Sequence, residues 1–170
     1  MTYDNITIRQ QIEMEECAEM HVAPFHQGAA KQAYLEGMAF EDLMKLKTSQ
    51  YIKIANKYEF LMFPVQAILP KKWKDYPFNL DFNKMQTGDF ADLMTLLSAG
   101  ESKEKIIAKL WMSPEPYEER IKKVYNEMSV PIAAGVNDFF LQWSQNFQAN
   151  LQLYLAKQAK KETRQARQKT

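Results

Sequence analysis

The sequence predicts a mainly α protein, a multi-helix bundle interrupted near its middle by a short β-hairpin or irregular segment. Three observations predict it. Apolar residues recur by threes and fours along most of the chain. Pro64, Pro70 and Pro77 crowd a central stretch and exclude a long helix there. One apolar stripe then runs from Ile132 to Leu155 at helical spacing. With 170 residues, 46% of them hydrophobic and 12% aromatic, the chain can bury one core or two small lobes.

Taken in order, Ile6, Ile8, Ile12 and Met14 open a segment whose helix propensity up to Met20 outweighs its strand-like alternation, so a helix is expected after Asp4 or Asn5. Pro24 and Gly28 punctuate the chain. Beyond them Tyr34 and Leu35, then Met38, Phe40, Leu43, Met44 and Leu46, read as two short helices divided at Gly37. Thr48 or Ser49 offers an N-cap to a helix using Tyr51, Ile52, Ala55, Tyr58, Leu61 and Met62, which Pro64 stops. Phe78 to Phe82 alternates apolar and polar and predicts a strand, paired with part of Val65 to Trp73 across a turn at Lys74 to Pro77.

The second half is more regular. Phe90, Leu93, Met94 and Leu97 share a helix face, with Gly100 at its end. Ser102 caps a helix that buries Ile106, Ile107, Leu110 and Trp111, and Pro114 fits the first turn of the next, carrying Tyr117, Ile121, Val124, Tyr125 and Met128. After Val130-Pro131 comes the long final helix. The expected organisation is an N-terminal helical unit over 1–63, a proline-containing hairpin or linker over 64–86, a C-terminal helical unit over 87–156, and a basic tail over 157–170.

Formal net charge is +1, so no global field draws the chain to nucleic acid or to an anionic membrane. Cys17 is the lone cysteine, which rules out an intramolecular disulfide and fits a reduced cytosol. Met1 to Asn5 lacks the basic and apolar regions of a signal peptide, and no apolar run reaches the roughly 18 residues a spanning helix needs. Neither export nor a membrane is expected.

Catalytic chemistry finds little support. Cys17 and His21 stand four apart on one helix face, the spacing of a nucleophile and its base, yet no third orienting group or oxyanion donor accompanies them. Cys17, His21 and His26 with Glu13 or Glu16 could surround a metal, but no paired ligand motif backs that reading. Glu15 with Glu16, and Glu118 with Glu119, read as solvated helix charge. Five glycines form no phosphate-cradling loop. The chain is therefore expected to be no enzyme and to hold neither metal nor cofactor.

Binding is better represented. Phe139, Phe140, Trp143, Phe147, Leu151 and Tyr154 are the candidate partner-binding residues, because the opposite face, with Asn137, Asp138, Gln142, Ser144, Gln145, Gln148, Asn150 and Gln152, is polar but largely uncharged and tolerates packing against another chain. Ten methionines serve as core filler or as adaptable contact surface. Lys157, Lys160, Lys161, Arg164 and Arg167 could contact phosphates, a weaker candidate since no aromatic residue follows Tyr154 to stack bases.

Ile6-Thr7-Ile8-Arg9-Gln10-Gln11-Ile12-Glu13 and Gly37-Met38-Ala39-Phe40-Glu41-Asp42-Leu43-Met44 resemble the opening segment of small proteins encoded among the tail and virion-assembly genes of tailed bacteriophages, of the tail assembly chaperone type. Tyr76 to Phe82, then Gly88-Asp89-Phe90, and Gly135-Val136-Asn137-Asp138-Phe139-Phe140 are similar to that group's later parts. The resemblance assigns no functional residue. It implies a phage-encoded protein in the host cytoplasm that binds other virion components. Such a protein acts transiently as a chaperone of a helical tail protein, or stays in the virion as a minor structural or packaged part whose basic C-terminus touches DNA or an acidic neighbour.

Overall fold

The computed structural model describes residues 2–82 and 84–168; the side chains of Tyr154, Leu155 and residues 158–168 lie outside that description. Eight α-helices are described: α1 (Ile8–Glu19), α2 (Pro24–Glu36), α3 (Phe40–Met44), α4 (Thr48–Lys57), α5 (Thr87–Ser98), α6 (Lys103–Leu110), α7 (Tyr117–Glu127) and α8 (Val130–Gln168). A two-stranded antiparallel hairpin, β1 (Lys72–Trp73) and β2 (Tyr76–Pro77), lies between α4 and α5. The fold is mainly α, as the periodicity predicts. Among the described residues no helix is long and apolar enough to cross a membrane.

Local chemistry explains where the helices begin and end. α1 starts later than Asp4 or Asn5, because Thr7 and Gln10 form a reciprocal capping box: the Gln10 N–H donates to Thr7 Oγ1 at 3.2 Å and the Thr7 N–H to Gln10 Oε1 at 3.0 Å. Pro24 sits in the first turn of α2, and the helix continues through Gly28 until Gly37, whose φ of 69° only glycine adopts without strain. α7 begins after Pro116 and not at Pro114.

The central segment departs from expectation. Residues 78–82 form no strand, and the hairpin is tighter, pairing Lys72 with Pro77 and Trp73 with Tyr76 around a left-handed Lys74. Phe78 instead bridges to Trp111, Asn79 N–H donates to the Leu110 carbonyl at 2.7 Å, and Met112 N–H donates to the Pro77 carbonyl at 2.9 Å. The end of α6 leaves carbonyls unpaired, and this segment supplies a donor.

Two apolar clusters result. The larger gathers Trp111, Ile107, Leu110, Val124, Val136 and Phe140 with Ile8 and Trp73. The smaller joins Ala29, Ala33 and Leu43 of α2 and α3 to Tyr51 and Ile54 of α4. The boundary between them does not follow the proline-rich segment: α1 packs on α2 yet sends Ile8 into the larger cluster. Its start is tied there by Ile8 N–H to the Met128 carbonyl (3.1 Å) and Val130 N–H to the Ile6 carbonyl (2.8 Å).

Candidate functional site

Helix α8 carries the candidate partner-binding residues, and its two parts have different surroundings. Near its start Ala133, Val136 and Phe140, spaced by threes and fours, are buried in the larger core. The extended chain after α4 crosses this region, with Ile68 N–H donating to the Pro131 carbonyl at 2.9 Å. The crossing requires Gly135: a Cβ there would overlap the Ile68 carbonyl and stand 2.7 Å from Leu69 N.

An aromatic ladder follows. Trp143 stacks on Phe82 with ring centroids 3.9 Å apart and on Phe147 at 5.3 Å, and Phe90 of α5 meets Trp143 and Phe147 edge-on at 5.5 and 5.2 Å. Phe139 stacks against Phe82 at 6.1 Å. Ser144, next to Trp143 in sequence and buried, donates to the Leu141 carbonyl of its own helix at 2.8 Å, so this polar group needs no outside partner.

Beyond Phe147 the environment changes. Every described side chain from Gln148 to Lys157 is exposed, including Leu151 at 45% and Leu153 at 60%. At 1.5 Å per residue, the helix extends about 30 Å past the last aromatic it shares with α5.

The expected single binding stripe therefore divides, which corrects part of the sequence reading. Phe140 belongs to the core and offers a partner no surface; Phe139, Trp143 and Phe147 are half-buried in the ladder. Leu151 alone of the six stands exposed, and the Tyr154 side chain lies outside the described residues. Of the basic candidates Lys157 is exposed, while the side chains of Lys160, Lys161, Arg164 and Arg167 also lie outside the description.

Two apolar grooves were not anticipated. Phe25, Leu43, Met44, Tyr51 and Ile52 line one of about 400 Å³; Tyr3, Phe60, Phe63, Ile68 and Pro131 line another of about 360 Å³. The run Phe60-Leu61-Met62-Phe63 signals the second, since a short 3₁₀ turn at Glu59–Met62 cannot bury four successive apolar residues on one face.

Cys17 and His21 line a common pocket of about 340 Å³ with Tyr34 and Phe40. The His21 ring lies 4.0 Å from Phe40, and among the described residues it shares no hydrogen bond with Cys17. Tyr34 donates to Glu13; burial, then that bond, push its hydroxyl up to about 12, which keeps it protonated at neutral pH. Among the described residues no three His, Cys, Asp or Glu side chains are grouped to hold a metal ion.

The chain matches no family model, and comparison with curated proteins and with solved structures likewise gives no match.

Proposed function

We propose that this protein is a protein-interaction module that assists virion assembly in a tailed bacteriophage, binding an apolar helical stretch of a larger tail protein as a chaperone does. The observation that carries the reading is the change along α8, from a base locked in the core to a tail that exposes Leu151 and Leu153. Covering such side chains contributes about 25 cal/mol per Å² of apolar surface. Gln148, Asn150 and Gln152 flank them with neutral polar groups, so a partner approaching there desolvates few charges. The sequence resemblance supplies the phage context.

Co-expression with a long helical tail protein of a tailed phage is expected to raise that protein's solubility and to yield a co-purifying complex. Leu151→Glu with Leu153→Glu is expected to abolish both while leaving the fold intact. A tail protein equally soluble alone, with no complex recovered, would falsify the chaperone reading.

A further inference from the structure

Where α5, α6 and α7 meet the segment that follows β2, the chain forms a polar cavity of about 290 Å³ lined by Asn79, Asp89, Lys109, Ser113 and Arg120, with Trp111 as an apolar wall. Four separate stretches of sequence converge on it. Arg120 reaches it from the first turn of α7, and its Nη1 donates to the Trp111 carbonyl at 2.6 Å while the guanidinium lies 5.7 Å from the Tyr117 ring centre.

The charge balance here is uneven. Lys109 has its own counter-ions, Asp92 at 2.8 Å and Asp89 at 3.1 Å, and these hold its ammonium above the usual lysine range. Glu115 is engaged by Lys123 through Oε1 alone, and its Oε2 is buried without a hydrogen-bond partner among the described residues. Arg120 has no carboxylate partner among the described residues, and its Nε is buried without any hydrogen-bond partner there. Arg120 is half-buried, its buried Nε donor is costly to leave unmet, and its planar fork matches an oxyanion. Ser113 is buried at the same cavity; its Oγ accepts from Glu115 N–H at 3.4 Å, which leaves the hydroxyl proton to donate elsewhere.

We propose that this cavity binds a small oxyanion, a carboxylate or a phosphate group, held by Arg120 with Ser113 and Asn79 donating beside it. Asp89 is the opposing charge in the site and weakens the anion's hold. The inference stands apart from the interaction surface on α8, since none of these residues lies on that helix.

The test titrates inorganic phosphate and, separately, succinate into the full chain at matched chloride ionic strength, following backbone amide shifts by NMR and affinity by calorimetry. Saturable shifts centred on Asn79, Ser113 and Arg120 are expected, and whichever anion binds more tightly identifies the source. Arg120→Gln should weaken binding about tenfold or more, the scale of a lost charged hydrogen bond, whereas Asp89→Asn should tighten it several-fold. Because Arg120→Gln also removes the bond to the Trp111 carbonyl, Asp89→Asn decides the matter if the first variant does not fold. Shifts that never saturate, or affinities that neither variant changes, would overturn the proposal.

Discussion

The two parts of helix α8 share one apolar stripe but not a role. Its base sets Val136 and Phe140 into the larger core and is crossed by the backbone of Ile68, while its tail past Phe147 presents Leu151 and Leu153 to solvent. Apolar periodicity continues through both. What differs is the supply of neighbours: Phe82 and Phe90, the latter in the first turn of α5, cover the helix as far as Phe147, and every described side chain beyond it is exposed. An apolar stripe is a demand for cover, and only the tertiary fold decides how much of it is met from within the chain.

This contrast can be broken by substitution. The largest loss is expected from Phe140→Ala, which empties a fully buried site and should cost about 3–5 kcal/mol in urea denaturation; a loss below about 1 kcal/mol would remove the base from the core. Trp143→Ala takes the centre out of a half-buried ladder and should cost about 2 kcal/mol by the same measurement. Gly135→Ala sets two effects against each other: alanine favours the helix by about 1 kcal/mol, while its Cβ must displace the Ile68 backbone at about 1–3 kcal/mol. Net destabilisation is expected, together with altered hydrogen exchange at the Ile68 amide. Leu151→Ala is smallest, within about 0.5 kcal/mol for the isolated chain, and its effect should appear only in partner binding. A large thermal destabilisation by Leu151→Ala would mean that the tail packs on its own body, and the division of α8 would fail.

Much of the helical layout was readable. Proline at Pro24 and Pro131, and Gly37 and Gly100 with φ of 69° and 66°, act through backbone geometry that each residue carries with it. The hairpin was read in the right place but in the wrong register, because the alternation of residues 78–82 is satisfied by the end of α6, which is distant in sequence. The candidate stripe was legible as a stripe. That Phe140 was core and Leu151 surface was not, since both sit on the same helical face and differ only in what packs against them.

The polar cavity was not legible at all. Arg120 is one of many charged residues on an amphipathic helix, and nothing local marks it as lacking a carboxylate; that follows from where Asp89 and Asp92 fall, on the side of Lys109.

The sequence by itself determined the helix-rich class, several of the stops and caps, and the apolar stripe along the final helix. These depend on local sterics and on a 3.6-residue period that any short window reveals. Tertiary structure alone decided which α8 residues are enclosed, where the chain must pass over Gly135, and that Arg120, without a carboxylate partner among the described residues, lines a polar cavity. Each of those is set by contacts between segments far apart in the chain, and no local pattern encodes them.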